Sequence, residues 1–403
     1  MKIVGLITEY NPFHNGHKYH IEQAKKITNA DFVVVVMSGD FVQRGEPAIF
    51  PKSFRAHMAL LNGADIVFQL PTYYSTSSAS LFAYGAITLL HKLGCIDFVC
   101  FGSEDGHITD LIECAKILLE EPPKFKQVLK ENLKLGLSFP KARELALTSC
   151  ITSNSLPAFL PNNILGMEYI KSLLQLNSTI TPVTIKRQGA GYHDLDFSKE
   201  FCSASALRTT IGTAPTDSYS SFIPENVVDL LKRNDSPSPL SLDDFSYLLN
   251  YKKLSCTCFS KYADFSSHLE NRFLNLANDF YSINEYISLL KSKEYTHSRI
   301  SRALLHSILN ITQENVDYYN FNGCIFYARL LGFQKKASPL LKKIKQCSSI
   351  PCITKLADAP NLLDNIGLEQ LNHDIFSSNL YRMAYFEKYK KNLPNEYQSP
   401  IIL

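Results

Sequence analysis

A chain of 403 residues with 45% hydrophobic and 20% charged residues has the composition of a globular protein with ample core, not of a disordered or fibrous one. Its formal charge of +3 excludes a globally basic nucleic-acid binder and leaves only regional basic patches to be sought. No apolar run reaches the ~18 residues of a membrane-spanning helix, and the ten cysteines contain no C-x-x-C pair, so zinc-site spacing is absent and reduced thiols in a cytoplasmic protein are expected.

The chain enters a short apolar run, Ile3 to Ile7, at once, so no cleavable signal is expected. That run predicts a buried parallel strand, and an amphipathic helix is expected from near Lys18. Between them stands Glu9-Tyr10-Asn11-Pro12-Phe13-His14-Asn15-Gly16-His17. A strand-to-helix junction lies at the carboxyl edge of an open α/β sheet, where ligands bind. Helix N-termini there offer free N–H groups and a partial positive charge to anions. Gly16 admits close backbone approach, and His14 and His17 can donate hydrogen bonds to a phosphoryl centre under attack.

Strand and helix patterns then alternate. Strands are predicted at Asp31–Met37, Asp65–Leu70, Asp97–Phe101 and Ile180–Arg187, with helices at Lys52–Asn62 and Ser78–Leu93. Repeated strand, crossover helix and strand give a doubly wound parallel α/β sheet. The polar loop Ser38–Pro47 falls at the ligand edge, where Gln43, Arg44 and Glu46 face either ligand or solvent. Lys52 and Arg55, at a helix start, are either surface cations or phosphate contacts. Gly102 suits a close approach beneath a nucleotide. Pro122–Leu160 reads as a helical insertion.

Pro161-Asn162-Asn163 opens a further helix; one asparagine is a cap or a nucleotide contact. Arg187 and Gln188 precede a glycine-rich loop containing His193-Asp194, to which no role is assigned. Ser203 is a helix cap, and Ser205 and Arg208 share a helical face suited to a triphosphate. Residues 213–241 are rich in Ser, Pro, Thr and Asp and read as a linker with one helix at 224–233. Beyond it the pattern turns helical, including Tyr327–Leu331, and predicts a second, mostly α-helical domain over 242–403. Its candidate RNA surface comprises Arg299 with Arg302, the lysines between Lys335 and Lys345, and the aromatic-lysine run Tyr385 to Lys391.

Asn-Pro-Phe-His-Asn-Gly-His after the first strand resembles the HIGH-type signature of the nucleotidyltransferase superfamily. The Ser203–Arg208 stretch resembles that superfamily's Ser-Ser-Thr-x-Ile-Arg element, with Ala204 and Ala206 departing from it. With Ser-Gly-Asp-Phe-Val-Gln-Arg-Gly-Glu-Pro-Ala, Phe-Gly-Ser-Glu, Pro-Asn-Asn-Ile-Leu-Gly and Gly-Tyr-His-Asp, the chain is similar to the bacterial tRNA(Met) cytidine acetate ligases, closely over residues 1–210 and loosely beyond. The resemblance implies a catalytic domain over 1–212, a linker, and a tRNA-binding domain over 242–403. It implies activation of acetate by ATP, then transfer of acetyl to N4 of the wobble cytidine of elongator tRNA(Met). The candidate catalytic residues are His14, His17 and Arg208. The candidate nucleotide contacts are Ile7, Thr8, Glu9, Tyr10, Asn11, Pro12, Phe13, His14, Asn15, Gly16, His17, Lys18, Tyr19 and His20, with Gly102, Asn162, Asn163, Arg187, Gln188 and Ser205. No metal-binding side chain is expected; Mg²⁺ is expected on the ATP phosphates. A small-molecule nucleotidyltransferase and a non-catalytic nucleotide-sensing RNA-binding protein stand as alternatives.

Overall fold

A computed structural model describes residues 1–151, 159–187, 203–276, 279–398 and 400–403. The first half alternates β1 (Ile3–Thr8), α1 (Asn15–Thr28), β2 (Phe32–Ser38), α2 (Lys52–Leu61), β3 (Ile66–Leu70), α3 (Ala79–Lys92) and β4 (Phe98–Ser103). After a helical insertion come α4 (Pro161–Gln175), β5 (Thr181–Lys186) and α5 (Ala204–Thr210). The sheet order β3-β2-β1-β4-β5 is all parallel. Chain order reverses between β1 and β4, which opens a crevice at their carboxyl ends.

Why these runs are strands is visible in their burial. Val33, Val35 and Met37 pack with Val4 and Leu6 on one face. Val34 and Val36 pack with Ile66, Phe68 and the α3 side chains on the other. Both faces are covered, so the strands are uniformly apolar rather than alternating. At Gly5 the covering helix sits close: a Cβ there would lie 2.8 Å from Leu90 Cδ2 of α3.

The second half is mostly helical but completes the same sheet. Ala328–Phe333 forms β6, antiparallel to β3. Cys352–Ile353 (β7) and Ile401–Ile402 (β8) pair with β6 in parallel. The helix expected at Tyr327–Leu331 is therefore a strand; a short run buried along its length carries no period to separate the two. The sheet thus crosses the 213–241 segment. The expected loop Ser38–Pro47 holds a small antiparallel hairpin, Phe41–Val42 against Glu46–Pro47. Its tip, Gly45, packs on α6 (His297–Leu309), whose Ser301 Oγ donates to the Gly45 carbonyl at 2.8 Å.

Lys52 and Arg55 are not surface cations. Lys52 reaches Asp40 at 3.3 Å and Glu396 at 2.7 Å, and Arg329 of β6 reaches Glu396 at 2.6 Å. This buried cluster bolts the C-terminal tail to the β2 loop. Arg55 is fully buried and donates to the carbonyls of Phe50, Ser38, Gly39 and Glu9. It ties the loops after β1 and β2 together below the crevice.

Candidate active site

The β1–α1 junction is held by its own histidines. His14 is the N-cap of α1, so the helix begins at Asn15 rather than near Lys18. The backbone N–H of Gly16 donates to His14 Nδ1 at 3.1 Å, and the N–H of His14 donates to His17 Nδ1 at 3.3 Å. This reciprocal pair plays the part of a capping box, with imidazoles in place of hydroxyl and carboxylate. A ring whose Nδ1 accepts carries its proton on Nε2. Each neutral ring therefore turns an Nε2–H donor away from the backbone. The rings stack with centroids 3.8 Å apart. Burial, with the Arg187 and Arg208 charges, pushes His14 down to about 3. Burial and its neighbours His14, His20 and Arg187 hold His17 well below its ordinary value. Burial and Arg187 bring His20 to about 4, against a hydrogen bond with the Cys100 backbone. All three are neutral at pH 7.

A cavity of about 280 Å³ opens beside them at the reversal between β1 and β4. Ile7, Thr8, Glu9, Tyr10 and Asn11 line it from β1 and its loop, and His14, Gly16, His17, Tyr19 and His20 from α1. Gly102, Asn162, Arg187, Ser205 and Arg208 line its other sides. Arg208 donates to the Asn11 carbonyl at 2.9 Å and to Ser205 Oγ at 3.1 Å, so its guanidinium is fixed between β1's loop and its own helix. Ser203 caps α5, accepting from the Ala206 N–H at 3.1 Å.

The two asparagines part company. Asn162 is on the cavity wall, donating to Glu104 Oε1 at 2.7 Å and accepting from Arg187 Nη1 at 3.1 Å. Asn163 is fully buried, accepting from the Glu104 N–H at 2.9 Å and donating to Asp105 Oδ2 at 2.6 Å. The Glu104 carboxylate also takes the N–H groups of Asn162 and Asn163, so it occupies the positive end of α4.

Other candidates lie away from the cavity. Phe13 is buried in the core, packed edge-on against Tyr10. Pro12 is buried beside it, following a cis Asn11–Pro12 bond. Asn15 donates to the Ser221 carbonyl at 2.9 Å, and Lys18 faces a different hollow. Gln188 and the His193-Asp194 loop lie outside the described residues.

The cavity has walls that the sequence reading did not name. Phe82, Phe101, Leu165, Tyr169 and Ile185 supply apolar surface, and Lys186 adds a cation. Gln43, Arg44 and Glu46 of the hairpin do reach it. Glu9 accepts the Gln43 N–H at 2.9 Å. Burial raises the Glu9 carboxyl against that bond and against Arg208, Arg55 and Arg44. Phe82 and Tyr169 sit inside ordinary helical periodicity, so nothing local in their segments sets them apart from core.

Two of the three clusters in the expected RNA surface are partly spoken for, while Lys335, Lys342 and Lys345 of the third are exposed. Arg302 is buried against Asp264, with Nε to Oδ2 at 2.8 Å, so it does not share an open face with Arg299. Lys388 pairs with Asp244 at 2.9 Å, Lys390 with Glu387 at 2.8 Å, and Tyr385 is buried. Among the described residues no helix is long and apolar enough to cross a membrane. Nor do three His, Cys, Asp or Glu side chains converge there as a metal site.

A parallel sheet, a polar-lined cavity at its reversal and a histidine-capped helix at the cavity mouth define a HIGH-type nucleotidyltransferase. The chain belongs to the HIGH nucleotidyl transferase family, whose model matches residues 1–396. Within it, the chain falls among the tRNA(Met) cytidine acetate ligases. It is 42% identical to the tRNA(Met) cytidine acetate ligase of Thermoanaerobacter sp. (strain X514) over 96% of each chain. It is 40% identical to that of Thermosipho melanesiensis over 100% of this chain and 99% of the other. The crystal structure of apo Thermotoga maritima TmcAL superposes with a TM-score of 0.93 at 34% identity, and the form bound with alpha-thio ATP with 0.91 at 34%, each over 100% of both chains.

Proposed function

We propose that this chain is an ATP-dependent ligase that acetylates N4 of the wobble cytidine of elongator tRNA(Met). The carrying observation is the cavity at the β1–β4 reversal, where two neutral Nε2–H donors and the fixed Arg208 guanidinium converge. In the first step an acetate oxygen attacks the α-phosphorus of ATP, the bridging P–O bond breaks, and pyrophosphate leaves with its electron pair. Acetate is ionised at pH 7 and needs no base. The demand is in-line placement and neutralisation of phosphoryl charge. Arg208 serves as a permanent charge there, and His14 and His17 serve as donors that cost no proton. Asn162 and Arg187 stand where adenosine or ribose would rest.

In the second step cytidine N4 attacks the acetyl carbonyl of acetyl-adenylate. The C–O bond to AMP breaks, AMP carries off the electron pair, and the amine proton passes to solvent. The base must leave its stack to enter the cavity. Mg²⁺ would arrive on the ATP phosphates and neutralise their charge. The enzyme is expected to work in the cytoplasm, where tRNA and ATP are found.

The test is incubation with ATP, Mg²⁺, labelled acetate and bulk tRNA, followed by nucleoside mass spectrometry. Label recovered as N4-acetylcytidine supports the reading. Acetyl-adenylate without labelled RNA would leave the first step and replace the acceptor. Neither product from folded protein would sink the proposal.

A further inference from the structure

The helix that carries His14 and His17 at one end carries a lysine face along its length. Lys18, Lys25 and Lys26 line an open hollow of about 570 Å³ between α1, the end of α2 and the helix Glu225–Lys232. Lys336, from the chain's second half, closes its far side. The spacing of 18, 25 and 26 places these three on one side of α1. Lys18 and Lys25 stand ~10 Å apart along its axis. Glu22 is the one carboxylate among the lining residues. None of the three α1 lysines makes a salt bridge among the described residues; Lys25 lends a distant charge to Asp31. Lys336 is half-exposed and pairs with Asp65 at 3.0 Å.

Lysines without salt bridges around one concave surface are a demand for anion. A polyanion with regularly spaced charges satisfies several at once and releases the counterions they hold. We propose that this α1 hollow binds the sugar-phosphate backbone of the acceptor RNA, holding the stem beside the cavity that receives the base. The proposal rests on the tRNA reading above and assigns it a surface. Placement favours α1 over other lysine clusters. Its first turn is part of the cavity wall, and its whole length of 14 residues spans only ~21 Å. The lysines of the helix Pro123–Lys134 are equally exposed, but that helix contributes no residue to the cavity wall.

The test compares Lys25→Glu/Lys26→Glu with Lys130→Glu/Lys134→Glu in the full chain. Binding of bulk tRNA is measured across salt concentrations, beside acetate-dependent pyrophosphate–ATP exchange. The α1 double variant should bind tRNA at least ~10-fold more weakly, with a salt slope shallower by about one to two, and exchange at the wild-type rate. The Lys130/Lys134 variant should match wild type in both. Wild-type tRNA affinity and slope in the α1 variant overturn the proposal, as does an equal loss in the two variants. Loss of binding to phosphatidylserine vesicles with tRNA binding intact would assign the face to membrane and overturn it too. Exchange missing from the wild type would count against the ligase reading and leave the tRNA comparison to judge this surface alone.

Discussion

At the residue scale, His14 and His17 work as two things at once. Their Nδ1 atoms satisfy orphan N–H groups at the start of α1, and in the proposed mechanism their Nε2–H groups meet phosphate. His17→Ala removes one donor and one half of the reciprocal cap. Acetate-dependent pyrophosphate–ATP exchange should fall by two orders of magnitude or more, while tRNA binding holds; a cap of this kind contributes about 1 kcal/mol. Because His14 and His20 stay neutral down to about 3 and about 4, exchange should show no acid limb near the ordinary histidine value of 6.5. The same shifts bear on stability. Between those values and 6.5 the unfolded chain binds more protons, so this contribution is complete above 6.5 and is lost as pH falls toward 4 and 3. Asn162 and Asn163 separate by readout. Asn162→Ala should raise the KM for ATP with little change in melting. Asn163→Ala strands the Glu104 N–H and removes one hydrogen bond from the Asp105 carboxylate, costing about 1 to 3 kcal/mol in denaturant unfolding.

At the element scale, loops rather than strands shape the crevice, and buried cations hold the loops. Arg55 gathers carbonyls from two of them. The Lys52–Glu396–Arg329 cluster joins a loop of the first half to the tail of the second. Burial pushes the Glu396 carboxyl up, but Lys52 and Arg329 hold it well below the usual carboxylate range. Its contribution is therefore present above the ordinary value of 4.5 and is lost as pH falls through the lower folded value. Glu396→Gln leaves Arg329 buried without a counter-charge. Urea unfolding at pH 7 should report a loss of about 3 to 5 kcal/mol, with a smaller gap from wild type in acid.

At the scale of the whole molecule, the catalytic sheet is not complete without the second half. β3 is buried along its length because β6 lies against it. A fragment of residues 1–241 would expose that apolar edge, a template for intermolecular pairing. It should aggregate or elute as large species in gel filtration, with no exchange activity. A monomeric, active fragment would show that the later strands are dispensable. The hairpin against α6 makes the same point at the cavity, since one of its walls is braced from residues 297–309.

How much was legible follows from the range of the interactions. The five parallel strands, their order of appearance, and the histidine junction were readable because each is encoded locally: an apolar run, a helix periodicity, a short motif between them. Local code also brought Gly102, Asn162, Arg187, Ser205 and Arg208 forward, and the fold gathered them at one crevice. What failed was whatever depends on a distant partner. Ala328–Phe333 reads as helix or strand until β3 is beside it. Arg302, expected on an open face with Arg299, meets Asp264, and Arg55, expected at the surface or on a phosphate, meets carbonyls from two loops. Sequence alone determined the histidine junction at the end of β1, since both rings and the N–H groups they accept from lie within a few residues. Tertiary structure decided which cations stay exposed and which asparagine faces the cavity, because those outcomes depend on charges and carbonyls brought from distant parts of the chain.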